Sequence, residues 1–331
     1  MKKGKLWGGL YAAALTGFTV WLALDTFVIP HVYEEAAALP APSAAVATAS
    51  PTAVPTVASA GGRSKKTTRQ RTGNTSSAPV RQQTAETETA SAAQVYDQDG
   101  THIELTEYRI SDTTVYVADV TLASPDALAA VLAQNAYGRN VTETPSAMAQ
   151  RSGAVLAVNG DYYGARQRGY VVRNGVLYRD TVSPGQEDLM IDQNGDFHII
   201  QEEEITAQAL MEAGAAQVYS FGPALITEGQ ISVDPGDEVG RAMDSNPRTA
   251  LAQVGPLHYL FVVADGRSTA SAGLDLYDLA QFLRGLGAQT AYNLDGGGSS
   301  AMIFQGQLVN NPTTNGNRTS ERSVSDIVGI F

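Results

Sequence analysis

The sequence predicts an α+β fold: a mixed β-sheet with flanking helices, built as a single domain behind an N-terminal transmembrane helix and a disordered linker. Three observations carry this expectation. An apolar run opens the chain, a polar tract rich in Ala, Thr, Ser and Pro follows, and from Val95 onward short β-rich segments outnumber amphipathic helical ones. The expected divisions are 1–30 for basic N-terminus and anchor, 31–94 for linker, and 95–331 for the domain.

Lys2, Lys3 and Lys5 precede the run Leu6–Ile29, in which Asp25 is the only charge. As a helix this run would span roughly 36 Å, enough for a bilayer core of about 30 Å. Its uninterrupted part, Leu6–Leu24, is longer than the apolar region of about 7–15 residues in a cleaved signal peptide. Trp7, Tyr11 and Trp21 suit the two interfaces, and the lysines favour an inside N-terminus with the rest of the chain extracytoplasmic. The competing reading is cleavage near Ala36–Ala45, which would release the domain. The tract 36–94 has almost no large apolar side chain and no helical or strand period, so it cannot bury enough surface to offset its ordering entropy. Its basic patch, Arg63–Arg81, reads as solvated linker charge, with contact to anionic wall polymer or headgroups as the rival.

Within the domain, His102–Tyr108, Thr113–Leu122 and Val155–Val158 read as strands. Tyr170–Tyr178 and Leu189–Ile200 read as hairpins around Asn174-Gly175 and Asn194-Gly195, the strongest short hairpin signal. Ala127–Ala136 and Thr206–Ala213 read as helices. Gln217–Ile226, Thr249–Val254 and Leu257–Ala264 read as strands. Asp275–Leu286 carries Leu276, Leu279, Ala280 and Leu283 at helical spacing, with Gly287 as its stop. Thr290–Leu294 is a buried strand, Ala301–Phe304 and Gln307–Val309 form a last hairpin, and Val324–Ile330 closes the chain.

Composition removes several function classes. There is no cysteine, which excludes thiolate metal sites, iron–sulfur clusters and a cysteine nucleophile. The four histidines are far apart and none is spaced as a zinc pair, so no metal is expected; a divalent cation is compatible but not required. Residues 96–331 hold 13 basic groups, all arginine, against 29 acidic ones. Such a surface repels phosphate backbone, so no nucleic-acid partner is expected. An arginine in so acidic a domain either pairs locally or grips an anion.

The most unusual segment is Ala291-Tyr-Asn-Leu-Asp-Gly-Gly-Gly-Ser-Ser300, at the end of a buried strand. Gly296, Gly297 and Gly298 allow close backbone approach and an anion nest, and Ser299 and Ser300 add hydroxyls. It is neither a P-loop nor a dinucleotide fingerprint. A second strand ends in Asp265-Gly266-Arg267, and a right-handed crossover would place Asp265 and Asp295 at one sheet edge. Two such carboxylates suit acid–base or nucleophilic glycoside chemistry, and they equally suit loop capping. Arg248 and Arg322 offer guanidinium forks for phosphate or carboxylate; Arg318 and Arg267 are weaker candidates. Asn159, in Asn159-Gly-Asp-Tyr-Tyr163, reads as an amide for a sugar hydroxyl.

Taken in order, Arg248-Thr-Ala250, the strand into Asp265-Gly266, the Leu274–Leu283 helix, Asn293-Leu-Asp-Gly-Gly-Gly-Ser299, Pro312 and Arg322-Ser-Val-Ser325 resemble the phosphodiester glycosidase family, over roughly residues 110–331. Asn159 with Tyr162-Tyr163, and Phe221-Gly-Pro223, resemble its upstream elements. Asp161 stands where the family usually has glycine, so Asp161→Gly is expected to be mild. The resemblance implies an extracytoplasmic glycosidase that hydrolyses a sugar-1-phosphodiester at C1–O in an envelope or exopolysaccharide glycan, with no cofactor required. Asp265 and Asp295 would be its catalytic pair, and Asn159, Arg248, Gly266, Gly296, Gly297, Gly298, Ser299, Ser300 and Arg322 its substrate contacts. The rival is a non-catalytic envelope-glycan binding module using the same pocket.

Overall fold

The computed structural model describes residues 2–36, 39, 87–89, 94–237, 245–314 and 319–331. The expected linker 40–86, its basic patch and Arg318 lie outside the described residues. In chain order, α1 (Lys2–Phe27) and β1 (His31–Glu35) come first, and β2 (Thr87–Thr89) and β3 (Gln94–Gln98) lead into the domain. Then follow β4 (Thr101–Ile110), β5 (Thr113–Leu122), β6 (Leu128–Leu132), β7 (Ala136–Arg139), α2 (Pro145–Ser152), β8 (Leu156–Asn159), β9 (Val171–Arg173), β10 (Val176–Arg179), β11 (Glu187–Asp192) and β12 (Phe197–Gln201). The second half holds α3 (Ala207–Glu212), β13 (Ala215–Tyr219), β14 (Ala224–Thr227), β15 (Gln230–Ile231), β16 (Arg248–Gly255), β17 (His258–Ala264), α4 (Leu276–Gly285), β18 (Thr290–Asn293), β19 (Met302–Phe304), β20 (Gln307–Leu308) and β21 (Asp326–Ile330).

Among the described residues four sheets form, and three of them surround the main hydrophobic cluster. The largest runs β15-β14-β18-β16-β17-β5-β4-β2, with β3 also on β4; two more are β10-β9-β13-β11-β12 and β20-β19-β8-β21-β6, and the fourth is the pair β1-β7. Strand alternation sorts the side chains. In β16 and β17, Leu251, Tyr259, Phe261 and Val263 face the central core with Leu156, Val158, Met302 and Val328 of the third sheet. Their neighbours Ala250, Ala252, Leu260 and Val262 face outward, where Leu276, Leu279, Ala280 and Leu283 of α4 cover them. Met148 and Ala149 of α2 cover the third sheet in the same way, and Leu210 of α3 covers the second. The Asp275 carboxylate caps α4 through the Asp278 N–H at 2.6 Å, and Gly287 ends it at φ +94°.

The sheet-dominated α+β domain with few helices matches the expectation. Asn174 and Gly175 turn β9 into β10 with φ of 52° and 74°, the geometry that an Asn-Gly pair favours. Three expectations need correction. Ala127–Ala136 is not a helix: it contains β6, paired with β21, between two short 3₁₀ turns. Leu128-Ala-Ala-Val-Leu132 is apolar throughout and buried at every position, so its period could not separate strand from helix. Gln217–Ile226 is two strands, broken at 220–223. The expected linker 31–94 is structured at both ends: β1 pairs with β7, and β2 pairs with β4.

All ladders between these strands are antiparallel. β17 and β18 each pair antiparallel with β16 between them, so they run parallel to one another and end at one edge. Asp265 and Asp295 follow those two ends, as the crossover argument requires. Among the described residues no helix is long and apolar enough to cross a membrane; the side chains of α1 are described from Tyr11 onward.

Candidate active site

The edge that carries Asp295 is also where β16 begins with Arg248, where β8 ends with Asn159, and where the Arg322 segment enters β21. Asp295 is fixed from beneath. Its carbonyl accepts from the Asn159 amide at 2.6 Å, and its N–H donates to the Gly160 carbonyl at 3.3 Å. Asn159 in turn accepts from the Thr249 hydroxyl at 2.8 Å and the Ala301 N–H at 3.2 Å. Its amide is therefore spent within the protein. Asn159 positions Asp295 and does not present a free group to a sugar, which corrects the sequence reading.

Two cavities meet at Asp295. One, of about 170 Å³, is lined by Arg248, Arg267, Arg322, Asn246, Asn293 and the glycine loop. The other, of about 70 Å³, is lined by Asn140, Asp161, Tyr162, Ser299, Ser325 and again Arg322. Burial pushes the Asp295 carboxyl up to about 6, and the Asp161 charge adds to this. The Ser299 hydroxyl, the Arg322 guanidinium and the Gly296 N–H pull the other way. A carboxyl near 6 is mostly ionised at neutral pH yet still a competent proton acceptor, which suits proton transfer.

The first cavity is cationic. Arg267 is held below the usual arginine range by burial, then by its like-charged neighbours Arg322 and Arg248. Its Nε and Nη2 donate to the Asn246 side-chain oxygen at 3.1 and 2.8 Å, and the Arg248 Nε donates to the Leu274 carbonyl at 2.8 Å. The sequence marked Arg267 as a weaker candidate; it is one of three guanidiniums on this wall. The buried Asn293 side-chain oxygen, also in the lining, has no hydrogen-bond partner among the described residues, an acceptor open to a ligand donor.

The glycine loop serves the arginines more than it serves as an anion nest. Gly297 (φ +61°) lies under Arg267, whose Nη2 would be 2.9 Å from an added Cβ. At Gly298 a Cβ would fall 2.9 Å from the Thr314 Cα and 3.3 Å from the Arg322 guanidinium carbon. The loop's N–H groups are largely engaged at home: Gly297 donates to the Pro247 carbonyl, Ser299 to Gly296, and Ser300 to Gly297. Gly266 and Gly296 pack against the Asn246–Pro247 backbone. Ser299 lines the second cavity, whereas Ser300 and Gly266 line neither.

Asp265 lies outside both linings. Its carboxylate accepts from the Asn310 amide at 3.1 Å, the Asn311 N–H at 3.0 Å and the Asn311 amide at 3.2 Å. It pins the loop 310–311, the loop-capping alternative for a strand-end aspartate. Asp161 belongs to a buried ion network. Arg173 spans Asp161 at 2.8 Å and Asp326 at 2.6 Å, and the Ser220 and Tyr163 N–H groups also donate to Asp161. A glycine there would strip Arg173 of one of its two carboxylates, so the mild effect expected for Asp161→Gly does not fit this environment. Among the described residues no cluster of His, Asp and Glu could hold a metal ion.

Fold and cleft together place a buried carboxylate of raised pKa, Asp295, beside a wall of three guanidiniums. A family model for phosphodiester glycosidases matches residues 152–331, over half of the chain, and the chain belongs to that family. It is 29% identical over 201 residues to the uncharacterized SPbeta prophage-derived protein YomE of Bacillus subtilis (strain 168), a match covering 59% of this chain and 30% of that relative. The chain thus spans under a third of the relative's length. The catalytic domain of zebrafish N-acetylglucosamine-1-phosphodiester alpha-N-acetylglucosaminidase, auto-inhibited by its pro-peptide, shares the fold, with a TM-score of 0.56 and 21% identity over 74% of this chain and 87% of that one. A hypothetical protein from Synechocystis gives a TM-score of 0.50 at 17% identity, over 73% of this chain and 64% of that one.

Proposed function

We propose that the protein is an extracytoplasmic, membrane-anchored glycosidase that hydrolyses a sugar-1-phosphodiester in an envelope glycan. The observation that carries the reading is Asp295, shared by an arginine-lined cavity and a polar one. The phosphate occupies the side of Arg248, Arg267 and Arg322, and the sugar occupies the side of Asn140, Tyr162 and Ser325. Asp295 takes a proton from a water molecule as the water oxygen bonds to C1. The C1–O bond breaks, its electron pair leaves with the phosphate, and the products are free sugar and a phosphomonoester. A phosphomonoester leaving group needs little general-acid help, so a single cleft carboxylate suffices. The arginines stabilise the charge that develops on it.

Anchoring is supported by the sequence run Leu6–Ile29 behind three lysines. Within α1 the Thr19 hydroxyl donates to the Leu15 carbonyl at 2.8 Å, which satisfies that donor inside the helix. The test is release of free sugar from synthetic sugar-1-phosphodiesters by the purified chain. Binding without turnover across several sugars, with and without added divalent cation, would favour a glycan-binding module instead.

A further inference from the structure

The end of α1 is fastened to the domain. The Arg139 Nη2 donates to the Asp25 carbonyl at 2.9 Å and approaches its carboxylate at 3.3 Å. The Asn140 amide donates to the Thr26 and Ile29 carbonyls at 3.0 and 3.2 Å. The Asp25 and Thr26 carbonyls are orphan acceptors of a helix C-terminus, capped here by another element. Four residues past Ile29, Tyr33 of β1 lies against the domain, its ring 6.0 Å from that of Tyr137. Gly138 makes this docking feasible, since a Cβ there would sit 2.0 Å from the His31 carbonyl oxygen.

Between β1 and the domain lies a cavity of about 220 Å³, lined by Tyr33, Tyr137, Arg139, Tyr163, Arg166 and Arg179, with Gly138 and Gln167. Arg179 is set rigidly: it donates to the Gly169, Tyr163 and Arg166 carbonyls at 2.6–3.0 Å. Arg166 donates to the Ser220 carbonyl at 3.3 Å and lies over the Tyr162 ring. Neither Arg166 nor Arg179 has a carboxylate within ion-pair distance among the described residues, although the protein carries a net charge of −12. Two guanidiniums with no carboxylate partner among the described residues line one cavity, and the charge and the donors that the backbone leaves free, Nη2 of Arg179 among them, suit a phosphate oxygen.

Position selects the source of that phosphate. Arg139 both lines the cavity and caps the helix end, so the cavity stands one side chain from the point where α1 ends. On the membrane-spanning reading of α1 proposed above, on which this inference rests, Asp25 marks the exit from the bilayer core. The headgroup layer extends about 5–8 Å beyond that core. Phe27, Val28, Val32 and Tyr33, at and just past the helix end, are exposed, the residue types that sit at such an interface, and Tyr33 lines the cavity. We propose that this cavity binds the phosphate headgroup of an anionic phospholipid in the leaflet from which α1 emerges, which orients the domain on the membrane.

The experiment uses the full chain in nanodiscs of phosphatidylcholine alone or with phosphatidylglycerol. Hydrogen exchange of β1 and of segment 162–168 is the readout. Phosphatidylglycerol should slow exchange in both segments by about tenfold, the worth of one charge-assisted bond. Arg166→Gln should abolish that protection. Arg168→Gln, a change of the same charge in the same segment but outside the cavity, should keep it. Equal exchange in the two lipids, protection that survives Arg166→Gln, or equal protection by soluble glycerol phosphate in phosphatidylcholine discs would each overturn the proposal. A chain that stays in water and never enters discs would remove the anchor reading, and this inference with it.

Discussion

Asp265 and Asp295 each follow a buried strand, each precedes glycine, and they stand at one edge of one sheet. Their environments are opposite. Asp265 is met by three donors from Asn310 and Asn311, whereas Asp295 is lifted to about 6 on the wall between two cavities. A strand-end carboxylate is thus made structural or reactive by what the rest of the chain brings to it. Donors that fasten a neighbouring loop to the carboxylate tie it to the fold, and burial that outweighs the donors around it keeps it able to exchange a proton.

The sharpest way to break this contrast is exchange of each carboxylate for its amide. Asp295→Asn should lower hydrolysis by about 10²–10⁴ with an unchanged unfolding midpoint. Asp265→Asn should leave turnover within a few-fold, and a reversal of the two outcomes would move the reactive centre to Asp265. Next in size is Asp161→Gly, which leaves the buried Arg173 with Asp326 alone. It should cost about 3–5 kcal/mol in denaturant unfolding; a loss below about 1 kcal/mol would mean that water replaces the missing carboxylate. Asp265→Ala should cost about 1–3 kcal/mol by orphaning the loop donors, read as a lower melting temperature with activity at permissive temperature retained. Smallest is Arg322→Ala. Since Arg322 pulls the Asp295 pKa down, its removal should move the acid limb of activity to higher pH and raise KM for the phosphodiester.

Local chemistry made much of this legible. The Asn-Gly hairpins, the Asp275 cap with Gly287, and the outward row of α4 all depend on residues within a few positions of one another, and the sequence carries them in full. The common edge of Asp265 and Asp295 followed from crossover handedness alone. What stayed hidden depends on distant partners. Nothing near Asp265 announces Asn310 and Asn311, and nothing near Asp161 announces Arg173 and Asp326. Asn159 looked like a sugar ligand because its partners, Thr249 and the Asp295 carbonyl, arrive from other strands. Arg267 stood as a weaker candidate because Asp265-Gly266-Arg267 reads as a turn; its φ of 58° agrees with a turn, while its side chain reaches the cleft. β6 was ambiguous because five buried apolar residues carry no period.

The central claim is that Asp295 acts in its ionised form. The most direct measurement is the pH dependence of kcat/KM on a sugar-1-phosphodiester, whose own phosphate stays a monoanion across the range. A carboxyl raised by burial is protonated below its pKa, so activity should be low at acid pH, climb through about pH 6 and level off above it. The climb should vanish in the residual activity of Asp295→Asn. A profile flat from about pH 4 to 8, or one that falls as pH rises through 6, would contradict the account.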